Sequence, residues 1–259
     1  MIGNRDPVGH GFATREPGQG AGPEAPSERR PTRMAPDILP YVVPMFAYVA
    51  LGGLEGYLPQ VEKQPSPTWY PLAYAAKFVI VGLLAWWYRS TWKDFRPLPG
   101  AGSLVLAALT GLVVTGLWVG LDGFYPALPI VSSQRVGFDP TRLTPGPRWG
   151  FLLVRMLGLV ALVPLIEELF WRSFLIRWLI EPDDFQRVPI GRVTSFAAGG
   201  TAVLFALAHP EWLPALITGL LWAWLLWQTK SLSACLISHA VANLALGIYV
   251  MATGDWKYW

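Results

Sequence analysis

Residues 149–180 read WGFLLVRMLGLVALVPLIEELFWRSFLIRWLI, an apolar run interrupted by only a few charged side chains. A helix of about 20 residues crosses the roughly 30 Å hydrocarbon layer of a bilayer, at about 1.5 Å per residue. This run is longer than one ordinary span, so it predicts a tilted helix or a span that continues into a surface turn beyond Glu168. The stretch indicates a helical protein embedded in a membrane.

Six further apolar runs lie at residues 38–58, 70–88, 103–121, 195–208, 213–228 and 232–252. Of the 259 residues, 53% are hydrophobic and only 14% are charged, a balance that is unusual for a soluble fold. We therefore predict an all-α, polytopic transmembrane helical bundle with seven spans, and eight spans is the alternative. The net charge of +3 comes from basic residues scattered between the apolar runs, which argues against nucleic acid as a partner.

Composition divides the chain into four regions. Residues 1–36 are rich in Gly, Pro and charge, which predicts a disordered N-terminal tail. Residues 37–148 comprise N-terminal transmembrane helices and a loop, and residues 149–253 form the transmembrane core that carries the polar groups discussed below. Residues 254–259 are a short C-terminal tail.

Basic residues between the runs predict the orientation, because loops rich in Lys and Arg stay cytoplasmic. With the N-terminus in the cytoplasm, alternate crossings place most of these residues on that side. We therefore expect a multi-pass protein of the cell inner (cytoplasmic) membrane with a cytoplasmic N-terminus. The basic residues on the cytoplasmic side are then Arg89, Lys93, Arg96, Arg177, Arg187, Arg192 and Lys230.

Charged side chains inside the run at 149–180 need either a partner or a function, because each costs at least a few kcal/mol in hydrocarbon. Glu168 and Arg172 are four residues apart, so they lie on one helix face and can form an ion pair. Glu167 lies roughly 100° around the same helix, outside that pair. An ion pair between Glu168 and Arg172 therefore accounts for two of the three charges, whereas Glu167 still requires an explanation.

Two later runs each place a histidine on a helix face. Phe205 and His209 are four residues apart, as are His239 and Asn243. Glu167 and His209 both lie about 20 Å from the predicted cytoplasmic ends of their helices, and the His239–Asn243 pair spans the layer just below. Three helices therefore direct polar groups to one level of the bilayer.

A glutamate, two histidines and an amide suffice for hydrolysing a peptide bond. A carboxylate in a low dielectric can accept a proton from water, an imidazole can position that water, and a second histidine with an amide can stabilise an oxyanion. A zinc-dependent version of the same hydrolysis is an alternative, although the chain has no HExxH helix and we expect no cofactor and no metal. A second alternative is a non-catalytic membrane scaffold or bacteriocin-immunity protein that uses these groups for helix packing.

These motifs resemble those of the CPBP family of intramembrane proteases, the CAAX prenyl endopeptidase and bacteriocin-processing (Abi) proteins. Their order and spacing fit, and they cover about residues 149–252. The match comprises EExxxR at Glu167, Glu168 and Arg172, FxxxH at Phe205 and His209, and HxxxN at His239 and Asn243.

The resemblance implies an intramembrane protease with a water-accessible chamber and a CPBP-like catalytic core at residues 149–253. It further implies that Glu167 and His209 activate water, while His239 and Asn243 bind the oxyanion. The supporting residues would be Glu168, Arg172 and Phe205.

The segment RVGFDP at residues 135–140 looks similar to the exosortase-associated, CAAX protease-related branch of the family. That likeness implies a membrane-associated polypeptide as substrate and a link to an exosortase-type sorting system. It also argues against a farnesylated substrate.

Overall fold

The structure is a computed structural model that describes residues 37–126 and 137–258. The tail predicted at 1–36, and Arg135 and Val136 of the RVGFDP segment, lie outside the described residues. Seven long helices lie within the described part of the chain. They are α1 (Leu39–Glu55), α2 (Trp69–Trp87), α3 (Ala101–Gly120), α4 (Pro145–Ile180), α5 (Ser195–Leu207), α6 (Trp212–Thr229) and α7 (Leu232–Thr253).

Each helix coincides with one of the seven apolar runs, so the prediction of an all-α helical membrane fold is confirmed. Helices α2, α3, α4 and α7 are long and apolar enough to cross a membrane, whereas α1 and α5 are shorter apolar helices. The number of crossings stays a prediction. The extended segments that the structure describes are the short antiparallel strands β1 (Gln60–Val61) and β2 (Gln64–Pro65), which follow α1.

Helix α4 runs unbroken from Pro145 to Ile180, so the long fourth run forms one helix rather than a span and a separate turn. It contains two π-helical segments, Gly158–Leu162 and Leu169–Leu175, on either side of an α-helical turn that carries the two glutamates. Such π segments alter the helical phase and release backbone groups from the regular ladder. They therefore set where the side chains of α4 point.

The first π segment leaves one carbonyl available to a neighbouring helix. The N–H of Val163 bonds the carbonyl of Gly158, five residues back. The same pattern would pair the Leu159 carbonyl with residue 164, which is a proline and has no N–H. The Leu159 oxygen instead accepts a hydrogen bond from the side chain of Asn243 at 2.7 Å.

Small residues allow the closest helix contacts. A Cβ at Gly111 of α3 would overlap the carbonyl oxygen of Ser238 in α7, and a Cβ at Gly219 of α6 would overlap Ala202 of α5. Helices in lipid associate through such close backbone approach. The contact at Gly111 fixes α7 one residue before His239.

Charges outside the central motifs also have partners. Lys77 of α2 lies 2.6 Å from the carboxylate of Glu55 at the end of α1, and its ammonium sits over the rings of Tyr48 and Tyr74. The Arg155 guanidinium of α4 lies 4.5 Å from the centre of the Tyr74 ring. This cluster ties α1, α2 and α4 together through ion pairing and cation–π contacts.

Candidate active site

A cavity of about 190 Å³ lies among α1, α3, α4, α5, α6 and α7. The four side chains singled out from the sequence, Glu167, His209, His239 and Asn243, all line it, and so does Phe205. The structure thus brings together groups that are separated by as many as 76 positions in the chain (243 − 167). Their shared depth in the sequence corresponds to a shared cavity in space.

The two adjacent glutamates face different surroundings. Glu167 lines the cavity, whereas Glu168 is completely buried beside it. One oxygen of Glu168, Oε1, lies 3.3 Å from Nη1 of Arg172 and 2.9 Å from Nδ1 of His239. The expected i,i+4 pair is present, and the same carboxylate also contacts a histidine of α7.

Arg172 is held by aromatic rings as well as by Glu168. Its guanidinium carbon lies 4.8 Å from the centre of the Phe205 ring and 4.7 Å from the centre of the Trp222 ring. Aromatic faces attract cations, and this attraction is stronger where water is excluded. The supporting residues predicted from the sequence, Glu168, Arg172 and Phe205, therefore form one contiguous group, of which Phe205 lines the cavity.

His209 follows the end of α5 and bonds back to that helix. Its Nδ1 lies 2.7 Å from the carbonyl oxygen of Phe205. A carbonyl oxygen only accepts, so Nδ1 carries a hydrogen, and the Nε2 of a neutral ring then holds a lone pair. The ring also packs 4.4 Å from the Phe205 ring and meets Trp118 edge-on at 5.7 Å. Its orientation and tautomer are both fixed by α5.

His239 and Asn243 occupy successive turns of α7. The Glu168 carboxylate accepts a hydrogen bond from Nδ1 of His239, which fixes the tautomer of that ring. The Asn243 amide donates one of its two hydrogens to the Leu159 carbonyl at 2.7 Å. Because that amide has a second hydrogen, it can also donate to a group inside the cavity.

Several residues that line the cavity carry no signal in the sequence. Trp118, Trp222, Thr115, Tyr48 and Tyr258 are among them. The chain has 14 tryptophans, and nothing in their spacing separates those at the cavity from those at lipid. For example, Trp222 is buried whereas Trp224, two residues later on the same helix, is exposed.

No cluster of three or more His, Cys, Asp or Glu side chains in residues 37–126 and 137–258 is arranged to hold a metal ion. The Nδ1 atoms of both histidines at the cavity are engaged by Phe205 and Glu168. Histidines that bind zinc through Nε2 have Nδ1 engaged in the same way, so the expectation of no cofactor and no metal stays a prediction.

A membrane-embedded helical bundle with carboxylate, imidazole and amide groups around one cavity has the make-up of an intramembrane hydrolase. Residues 149–245 match the family model described as type II CAAX prenyl endopeptidase Rce1-like, a range that contains all three motifs. This part of the chain is therefore a domain of the CAAX-type (CPBP) family, whose Rce1-like members are intramembrane endopeptidases. No curated protein and no solved structure matches the chain. The exosortase-associated branch stays a prediction.

Proposed function

We propose that this CAAX-type intramembrane protease hydrolyses a peptide bond of a membrane-associated polypeptide with water activated by Glu167 and His209. The observation that carries the proposal is the meeting of Glu167, His209, His239 and Asn243 around one cavity. The remaining elements of the mechanism follow from the hydrogen bonds that each side chain makes.

Glu167 and His209 are suited to the proton transfers. Water attacks the carbonyl carbon of the scissile bond, and its proton passes to the Glu167 carboxylate. His209 orients that water through Nε2, the nitrogen left with a lone pair when Nδ1 donates to Phe205. When the C–N bond breaks, the proton on Glu167 transfers to the departing amine. Atoms and charge then balance, and both groups return to their starting states.

Asn243 and His239 are suited to the oxyanion that forms on the carbonyl oxygen. Asn243 keeps one amide hydrogen for it, because the other is committed to Leu159. When the His239 ring carries both protons, its Nε2 donates to the oxyanion while its Nδ1 stays bonded to the Glu168 carboxylate. Donors that are fixed before the reaction cost little reorganisation when charge develops.

Glu168 and Arg172 act through His239 rather than on substrate. Glu168 is completely buried beside the cavity and bridges Arg172 and His239 through one oxygen. We assign it the role of orienting the His239 ring, as carboxylates do for functional histidines at other sites.

The cavity extends to the end of the bundle where α3, α5 and α7 finish. Glu211 and Tyr258 line the cavity at this end. The segments at the same end contact each other through a hydrogen bond from Trp212 to the Pro126 carbonyl and an ion pair between Lys257 and Asp122. With a cytoplasmic N-terminus in the inner membrane, this end faces away from the cytoplasm, and substrate reaches the site from that side. A link to an exosortase-type sorting system rests on the RVGFDP segment alone.

Orientation can be tested with introduced cysteines. Cys235 is the only native cysteine and is buried, so Tyr258→Cys in a Cys235→Ala background supplies one reactive thiol at the cavity mouth. The orientation predicts labelling of intact cells by a membrane-impermeant maleimide. Labelling only after the membrane is opened would reverse it.

The proposed activity is tested by mapping new peptide termini in membranes that contain the wild-type chain or Glu167→Gln. We expect termini that require the wild-type chain and disappear with Glu167→Gln, while Glu62→Gln, an exposed carboxylate, serves as the matched control. Metal content and activity after chelation are measured on the same protein. Stoichiometric zinc with chelator-sensitive cleavage would replace the glutamate mechanism by the zinc-dependent one.

A further inference from the structure

Helix α6 carries none of the three motifs, yet one of its side chains reaches the centre of the site. Trp222 lines the cavity and is only 2% exposed. It is the one residue of Trp212–Thr229 that lines the cavity among the residues the structure describes. The Trp222 indole therefore lies where it can contact the residues proposed to carry the reaction.

Trp222 contacts both partners of the Glu168 carboxylate. Its ring lies 4.3 Å from the His239 ring at an interplanar angle of 30°, and 4.7 Å from the guanidinium carbon of Arg172. His239 and Arg172 each bond Oε1 of Glu168. The Trp222 indole thus packs against both Arg172 and His239. The positions of these two groups relative to Glu168 determine the orientation of the His239 ring.

The indole is itself held in place. Its Nε1 donates a hydrogen bond at 3.0 Å to the hydroxyl of Ser238, the residue that precedes His239 in α7. The backbone carbonyl of Trp222 accepts a hydrogen bond from the thiol of Cys235, which lies about one turn before Ser238 in α7. Trp222 is thereby tied to the turn of α7 that presents His239, and a smaller apolar side chain could make neither the stacking contact nor the bond to Ser238.

We propose that Trp222 is a positioning residue of this protease, which holds the His239 ring against the Glu168 carboxylate so that Nε2 faces the cavity. The inference rests on the proposed function of His239. A large flat ring restricts tilting of the imidazole, and its face attracts both the guanidinium and a protonated imidazole. Trp222 acts through His239 and Arg172, the two groups that its ring contacts.

The first test is kinetic. Trp222→Leu removes the ring, and Trp224→Leu, an exposed tryptophan two residues away, is the matched control. On a reporter peptide built on a cleavage site found with the wild-type chain, Trp222→Leu should lower kcat by about 10- to 100-fold with KM little changed, as loss of an orienting partner typically does. Trp222→Phe keeps a ring and should recover most of that loss, whereas Trp224→Leu should behave like the wild type.

The second test needs no substrate. The chain has three histidines, His10, His209 and His239, so protein labelled with ¹⁵N only at histidine gives three sets of imidazole signals. The set that disappears in His239→Gln belongs to His239. We expect Trp222→Leu and Trp222→Phe to shift the His239 signals, because ring stacking at 4.3 Å is lost or changed, and to leave those of His10 in place.

The two tests separate the failure of this inference from that of the proposed function. Wild-type kcat in Trp222→Leu, or His239 signals that do not change in either Trp222 variant, would overturn the positioning role while leaving the protease mechanism intact. Full activity in Glu167→Gln would instead overturn the mechanism. If Trp222→Leu does not fold, Trp222→Phe still decides the question through its His239 signals.

Discussion

Replacing Arg172 by methionine tests the energetics of the buried charges beneath the cavity. Arg172 and Glu168 are both fully enclosed, and their one ion pair has a separation of 3.3 Å. Nε and Nη2 of Arg172 make no hydrogen bond to the residues that the structure describes. Arg172→Met leaves the carboxylate of Glu168 buried with only its bond to His239, and breaking a buried pair in this way typically costs about 3–5 kcal/mol.

The double variant Glu168→Gln/Arg172→Met shows how much of this loss arises because Glu168 is left without its partner. The double variant removes both members of the ion pair, so neither Glu168 nor Arg172 is left without the other, and replacing a buried pair by neutral groups is often close to neutral in stability. Methionine can fill the space between Phe205 and Trp222, although Arg172→Met and the double variant both lose the two cation–π contacts, which contribute about 2 kcal/mol or more each where water is excluded. We therefore expect the double variant to be more stable than Arg172→Met by about 2 kcal/mol or more.

The assay is unfolding of the purified protein in detergent, followed by tryptophan fluorescence, for the wild type, both single variants and the double variant. A loss of less than about 1 kcal/mol in Arg172→Met would refute the reasoning, since that is the range of a solvent-exposed pair. Strictly additive single losses in the double variant would do so as well.

Three further predictions concern the oxyanion site, helix packing and the C-terminal turn. Asn243→Ala should lower kcat by about 10²–10³-fold with a smaller change in KM, as loss of an oxyanion donor does. A loss of the same size in kcat/KM that comes only from a higher KM would count against that role. Gly111→Ala should destabilise the fold by about 1–3 kcal/mol in the same unfolding assay, because its Cβ meets α7, whereas Gly116→Ala has open space and should have little effect. The hydrogen bond from Lys257 holds the pKa of Asp122 below its ordinary value, so the contribution of this pair to stability is present above the unfolded pKa near 3.8 and is lost as pH falls through the lower folded pKa. In Lys257→Met the pair is absent, so the pKa of Asp122 should rise toward its ordinary value, and NMR titration of the carboxyl that finds no rise would contradict this role of Lys257.

The helices and the level of the polar groups could be predicted because both depend on spacing along a single helix. Apolar runs of sufficient length specify membrane helices, and residues four apart share a face. The pairing of Glu168 with Arg172 is of this local kind. The meeting of Glu167 and His209 at one cavity follows from two depths measured from helix ends.

Lateral contacts between helices could not be predicted in the same way. The bond between Glu168 and His239 depends on the rotation of α4 relative to α7, and the π-helical segments of α4 change that rotation without a clear signature in the run. Pro164 accounts for the available Leu159 carbonyl only once the Val163–Gly158 bond is seen. The role of Trp222 likewise depends on which face of α6 meets α7, in a helix that is apolar on all sides.

The central claim is that Glu167 activates water, and the rate of cleavage by Glu167→Gln tests it most directly. Glutamine keeps the size and hydrogen-bonding ability of the side chain but cannot accept the proton. We predict a loss of at least about 10²-fold in kcat on the same reporter peptide, with the protein folded as judged by its unfolding midpoint. Cleavage by Glu167→Gln at the wild-type rate would contradict the account.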